Sequence, residues 1–140
     1  MRLLTVFSLL VLSFLSCKKN DNNTSIDTPA QVSTTVSSGS WIVTYFYDHN
    51  ADETSNFAGY IFTFNNSGAI NAVKGSNTVS GSWAAGTDDS KTKLVLNFTD
   101  DTFEELSEDW ELVKATPGKI ELMHKSGGDD HVDYLTFEKR

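Results

Sequence analysis

The segment WELVKATPGKIELMHKSGGDDHVDYLTFEK, residues 110–139, contains three runs of alternating apolar and polar residues. Two turn signals separate the runs, Pro117-Gly118 and a glycine-rich stretch around Gly128-Asp129. Pro-Gly fits a type II turn, and short turns of both kinds join neighbouring antiparallel strands. The segment therefore predicts three consecutive strands of an antiparallel meander.

The apolar residues of this segment also predict how its strands are aligned. A two-residue turn at Gly128-Asp129 pairs Leu122 with Leu135 and His124 with Asp133, whereas a turn at Gly127-Gly128 sets Leu122 against Asp133. The first alignment matches apolar residues better. The Pro117-Gly118 turn then pairs Glu111 with His124, and a shift of that hairpin by one residue would turn Glu111 away.

Glu111, His124 and Asp133 are thus expected to form one rung across three strands. Two neighbouring carboxylates favour the charged form of a histidine, so an ion-pair rung is the first interpretation. A divalent metal site is the weaker one, because no His-X-His or cysteine pair accompanies the rung. The sequence predicts no cofactor.

The pattern of the meander continues through residues 39–140, interrupted by Gly, Asn and Asp turn signals. We expect an all-β domain, an eight-stranded antiparallel up-and-down barrel. Between the fifth and sixth strands, a capping box at residues 102–105 precedes Phe103, Leu106 and Trp110 at helical spacing, which predicts one short helix. The predicted strands are 41–48, 57–65, 69–74, 78–84, 93–99, 110–115, 119–125 and 131–139.

The chain begins MRLLTVFSLLVLSFLSC, an apolar run behind Arg2 that is typical of a secretory signal and shorter than the roughly 20 residues of a membrane span. Phe14-Leu15-Ser16-Cys17 resembles the lipobox of bacterial lipoproteins. The resemblance implies that residues 1–16 are a signal peptide and that Cys17 becomes an acylated membrane anchor. Lys18 differs from the inner-membrane retention signal of such lipoproteins, so we expect the protein at the outer membrane. The sequence does not decide between its periplasmic face and its cell-surface face.

Residues 17–38 are rich in Asn, Ser, Thr and Asp and are expected to form the lipidated cysteine and a flexible tether. Beyond them, Gly39-Ser40-Trp41 is similar to the Gly-X-Trp signature of lipocalins, in which a basic side chain covers the tryptophan. Lys139 or Arg140 is the candidate for that role. The resemblance implies a lipocalin-like barrel and a small apolar or amphipathic ligand.

Aromatic side chains at alternating positions are the candidates for lining such a barrel. Most are expected to fill the core, because an eight-stranded barrel is narrow. Trp41, Tyr45 and Tyr47 are predicted to share one strand face. The tentative ligand-lining residues are Trp41, Tyr45, Phe62, Trp83 and Phe98.

Charge and motifs exclude several functions. The chain has 19 acidic and 11 basic residues, a net charge of −8, and no basic cluster, which argues against nucleic acid as a partner. It has one cysteine and so no disulfide framework, and it lacks a Gly-X-Ser-X-Gly elbow and a phosphate-binding glycine loop. An acidic stretch at 100–111 lacks the spacing of a calcium loop and is expected to be a solvated face. We therefore do not expect an enzyme.

Two functional hypotheses follow from these observations. In the first, a lipid-anchored barrel binds a small apolar or amphipathic ligand in its interior at the cell envelope. In the second, the barrel is solid and acts as a protein–protein interaction module that docks an envelope protein. The volume inside the barrel distinguishes them.

Overall fold

Antiparallel strands follow one another along the chain in the computed structural model, which describes residues 25–128 and 130–140. Each strand pairs with its neighbour in sequence or with the next but one, and the last strand pairs with the first. The strands of the described residues are β1 (Ser40–Asp48), β2 (Ala51–Asp52), β3 (Ile61–Phe64), β4 (Ala69–Lys74), β5 (Asn77–Asp88), β6 (Lys91–Phe98), β7 (Asp109–Thr116), β8 (Lys119–Lys125) and β9 (Val132–Lys139).

Pairing of β1 with β9 closes the sheet, since β1 also pairs with β3 on its other side. Eight strands, β1 and β3 to β9, make up this barrel, and β2 adds two residues beside the end of β1. The predicted eight-stranded antiparallel barrel is confirmed. Closure leaves these strands without the free edges at which open sheets aggregate.

The α-helix of the fold lies before the barrel, not between the fifth and sixth predicted strands. It is α1, Pro29–Val36, and the position where the sequence predicts a helix holds a 3₁₀ helix, Asp101–Leu106. The predicted helical spacing still has its packing role, because Phe103 and Leu106 are buried. A second 3₁₀ helix is Thr54–Phe57.

Helix α1 begins with a capping box in which Thr28 and Gln31 satisfy each other's backbone N–H groups, and Pro29 occupies the first turn. Its apolar residues Val32 and Val36 are fully buried against β5 and β6. This part of the predicted tether is therefore a packed helix. The sequence did not predict this helix, because its only contact stripe consists of two valines four residues apart and the rest of the segment is mostly polar.

Trp41 joins the helix to the barrel. Its indole N–H donates to the carbonyl of Val36 at 2.7 Å, and the ring is fully buried. The ammonium group of Lys139 lies 5.4 Å from the ring centroid, so Lys139 supplies the expected basic cover. A Cβ at Gly39 would lie 2.6 Å from Cε of Lys139, so a larger residue there would displace the end of this flexible side chain. We call α1, Trp41 and Lys139 the helix end of the barrel.

The predicted alignment of β8 and β9 is confirmed, with Ile120 opposite Phe137 and Leu122 opposite Leu135. The Pro117-Gly118 hairpin also forms and pairs Thr116 with Lys119. Gly118 does not have the positive φ that a type II turn requires, so the turn type differs from the prediction.

Candidate functional site

The interior of the barrel contains four of the five predicted lining residues, Trp41, Phe62, Trp83 and Phe98, all buried. Three of these rings contact other rings: Phe62 meets Phe137 edge-on at 5.3 Å between centroids, Trp83 meets Phe64 edge-on at 5.6 Å, and Phe98 lies 5.2 Å from Phe103. Such edge-to-face pairs are typical of a closely packed aromatic core. At this level the barrel is occupied by its own side chains.

Tyr45, the fifth predicted lining residue, faces the outside of the barrel and is 40% exposed. A β-bulge between Val43 and Tyr45 shifts the pairing of β1 with β9 by one residue. Beyond the bulge the alternation is inverted, so Phe46 and Asp48 point inward while Tyr45 and Tyr47 point outward. The prediction that Trp41, Tyr45 and Tyr47 share a face is wrong for this reason.

The outward tyrosines form a continuous patch with a residue of the neighbouring strand. Tyr45 and Tyr47 stack with centroids 6.3 Å apart, and Tyr47 lies opposite Tyr134 of β9, 6.5 Å away. A groove of about 360 Å³ beside Tyr45 and Tyr134 also contacts Val113 of β7, which is 56% exposed. We call Tyr45, Tyr47, Tyr134 and Val113 the tyrosine face.

A second bulge, in β7, alters the predicted rung. Pairing with β8 shifts between Leu112 and Lys114, so Glu111 lies opposite Met123 and not opposite His124. Glu111 instead forms an ion pair with Lys91 at 2.8 Å. The rung of Glu111, His124 and Asp133 is therefore wrong in its first member, while His124 does lie opposite Asp133.

His124 has other acidic neighbours. Its Nε2 lies 3.5 Å from Oε2 of Glu108 and 3.4 Å from Oδ1 of Asp109, and its Nδ1 lies 3.7 Å from Oδ2 of Asp133. The ring of Trp110 packs against the imidazole, tilted by 68°, with centroids 6.1 Å apart. The imidazole is thus enclosed by three carboxylates and one aromatic ring.

Asp133 also connects β9 to the turn after β1. Its Oδ1 accepts a hydrogen bond from the backbone N–H of His49 at 3.2 Å, and the residue is only 6% exposed. His49 and Asn50 both have positive φ and form a two-residue hairpin turn between Asp48 and Ala51. Nδ1 of His49 lies 2.8 Å from Oδ2 of Asp48.

These groups lie at the opposite end of β1 from Trp41. A cavity of about 230 Å³ opens there, lined in part by the acidic 3₁₀ helix Asp101–Leu106. We call this region the polar mouth; its central residues are Asp48, His49, Glu108, Asp109, His124 and Asp133.

Negative charge accumulates at the polar mouth. Burial and a hydrogen bond with Glu53 raise the pKa of Glu105 above its ordinary value, and the charges of Glu53 and Asp48 raise it further. The side chain of Glu105 therefore holds its proton to a higher pH than a free glutamate does.

Sequence reasoning missed Asp48, His49, Glu108 and Asp109. The sequence places Asp48 at the end of a strand without a site role, and Glu108 and Asp109 fall in the acidic stretch that is expected to be solvated. The available signal was His124 itself, since an inward-facing histidine near the end of β8 requires polar neighbours.

Cys17, the predicted lipidation site, lies outside the described residues, as do residues 1–16. In the part of the chain that the structure describes, no helix is long and apolar enough to cross a membrane.

Comparisons with known proteins support the fold alone. No protein-family model matches the chain, and no curated protein does. A solved structure of a DUF4847 family protein from Bacteroides vulgatus is similar, with a TM-score of 0.53 and 20% identity. The match covers 78% of this chain and 97% of that one.

Proposed function

We propose that this protein is a lipid-anchored protein of the bacterial cell envelope whose solid barrel acts as a protein–protein interaction module. Acylated Cys17 anchors it to the outer membrane, and the tyrosine face binds the partner. The role is not catalytic. The observation that supports it is the contrast between an interior occupied by aromatic rings and tyrosines that lie exposed on the outside.

Exposed tyrosines favour a protein partner. Tyrosine and other aromatic residues are enriched at protein interfaces, because they provide large rigid contact areas with a polar hydroxyl group. Tyr45 and Tyr134 are each about two-fifths exposed, and the groove beside them gives a partner's side chain a place to insert.

Charge narrows the chemistry of that partner. The chain carries a net charge of −8, so a second copy would bring the same excess of negative charge to the contact. The groove itself is lined by one residue of each charge, Lys114 and Glu121, so the net charge of the whole chain is what favours a partner of net positive charge. We therefore expect a basic envelope protein and not self-association.

Paired surface variants test this role. Recovery of envelope partners should be lost when Tyr45→Ser and Tyr134→Ser are combined, and retained in a control combining Val73→Ser with Val95→Ser. Val73 and Val95 have similar exposure but lie on β4 and β6. Association of the wild-type chain should also weaken with salt, because the attraction between opposite net charges is screened.

Equal recovery by both variants would overturn the interaction proposal. A small molecule retained by the folded barrel in native mass spectrometry would favour the ligand-binding hypothesis in its place. Circular dichroism of each variant checks that it folds.

The anchor is tested separately. A Cys17→Ser variant should be found in the soluble fraction of cells, whereas the wild-type chain should be found with the outer membrane and incorporate labelled fatty acid. Unchanged membrane attachment of the variant would contradict acylation at this residue.

A further inference from the structure

We propose that the polar mouth holds one first-row divalent cation between Nε2 of His124 and the carboxylates of Glu108 and Asp109. This site is distinct from the tyrosine face, and it differs from the predicted rung because Glu111 takes no part in it.

The spacing of the three donor groups fits a metal better than it fits hydrogen bonds. Nε2 of His124 lies 3.5 Å from Glu108 and 3.4 Å from Asp109. Hydrogen bonds between such atoms are shorter, about 2.7–3.2 Å. Ligand atoms around a tetrahedral ion with bonds of about 2.1 Å are separated by roughly 3.4 Å. All three donor atoms lie within 4.8 Å of one another.

Asp133 orients the imidazole from behind. Its Oδ2 faces Nδ1 of His124 at 3.7 Å, on the opposite side of the ring from the proposed ion. The carboxylate is fixed because it is buried and accepts the backbone N–H of His49. At this distance the contact is electrostatic, and a carboxylate on this side of the ring favours a proton on Nδ1, which is the tautomer that leaves Nε2 free for the metal. Trp110 packs against the same ring and limits its rotation.

The donor set indicates the class of ion. One imidazole nitrogen and two carboxylate oxygens suit zinc and its first-row neighbours, whereas calcium and magnesium prefer oxygen ligands alone. Lys93 reduces the local negative charge, since its Nζ lies 3.7 Å from Oδ2 of Asp109, but it leaves Oδ1 facing His124. Glu108 and Asp109 are partly exposed, so the ion is open to solvent and a water completes its coordination.

Calorimetric titration of the full chain in detergent with Zn²⁺ tests the site. We expect one ion per chain and an affinity at least about tenfold weaker in Glu108→Gln, a substitution at a partly exposed side chain. The matched control is Asp101→Asn, which removes a negative charge from the cavity that Glu108 also lines and does not change a proposed ligand. We expect the control to bind as the wild type does.

Direct ligation by the imidazole has its own readout. Co²⁺ bound to the wild-type chain should give visible absorption bands that are lost or shifted in His124→Gln. An Asp133→Asn variant should bind Zn²⁺ about 10- to 100-fold more weakly, as expected for a residue that positions a ligand.

Three results would overturn the proposal: no Zn²⁺ binding to the wild-type chain at millimolar concentration, equal weakening by Asp101→Asn and Glu108→Gln, or Co²⁺ bands that do not respond to His124→Gln. The second would mean that cations gather at the mouth through charge alone. Thermal unfolding of each variant separates loss of the site from loss of the fold.

Discussion

The two ends of strand β1 are stabilised by different kinds of interaction. At the helix end, a fully buried tryptophan donates one hydrogen bond to a backbone carbonyl and lies beneath one lysine. At the polar mouth, His49 and several carboxylates line a cavity, and His124 lies beside Glu108 and Asp109. A single strand of nine residues supplies an inward Trp41 to one end and an inward Asp48 to the other.

Because of this difference, the helix end mainly contributes to the stability of the barrel, and the polar mouth contains its reactive groups. The helix end depends on filled volume, which does not change with pH. The polar mouth depends on charged groups, which respond to protons and ions. Changes at the helix end should therefore affect the free energy of unfolding most, and changes at the mouth should make it sensitive to conditions.

The largest expected effect is at the helix end. Trp41→Ala removes a buried ring and its hydrogen bond to Val36, and should lower the free energy of unfolding by about 3–5 kcal/mol. Denaturant titration measures the change. Tyr45→Ala on the same strand is the control and should change stability by no more than about 0.5 kcal/mol, because its ring is on the surface. Similar losses in both variants would contradict the inward and outward assignment.

A smaller loss is expected at the mouth. Asp133→Asn keeps the size of the side chain and an oxygen that can accept the N–H of His49, but it removes the negative charge that faces His124. The free energy of unfolding should fall by about 1–3 kcal/mol at neutral pH. Chemical denaturation at several pH values measures it. A variant as stable as the wild type would mean that the charge facing His124 does not stabilise the fold.

The smallest effect should be a gain in stability. The folded-state pKa of Glu105 is raised, so the folded state binds this proton more tightly than the unfolded state does, and ionisation at neutral pH destabilises the fold. Glu105→Gln should raise the free energy of unfolding at pH 7 by less than about 1 kcal/mol, since the group is largely exposed.

The pH dependence of that gain is the sharper test. It should vanish as the pH falls below the ordinary glutamate value of 4.5, where the wild-type side chain is already protonated in both states. Asp88→Asn, an exposed carboxylate at the end of β5, is the control. A gain that persists in acid would point to packing and not to charge.

Alternation and turn chemistry predicted the barrel and the pairing of β8 with β9, because inward leucines and phenylalanines match in one register only. The same rule failed for Tyr45 and Glu111. A bulge precedes Tyr45 and another follows Glu111, and each inserts one residue that no period-two pattern reveals. The site follows from these bulges: one turns Asp48 inward, and the other separates Glu111 from His124.

The prediction of a flexible tether was wrong at helix α1 for another reason. Its eight residues include four polar ones, and only Val32 and Val36 contact the core. Such a short helix is stabilised by the barrel it packs on and not by its own propensity. The capping box of Thr28 and Gln31 with Pro29 is the local signal of a helix start, but the polar composition of the segment outweighed it.

Closure by β1 and β9 has a consequence for how the chain folds. The contact between Trp41 and Lys139 joins residues about as far apart in sequence as the barrel allows, and contacts of this kind form slowly. When the chain folds from its amino end, the edge of β1 stays exposed until residues 132–139 pair with it. Truncation before β9 would leave β1 and β8 as open edges. The eight residues of β9 therefore protect the protein from aggregation.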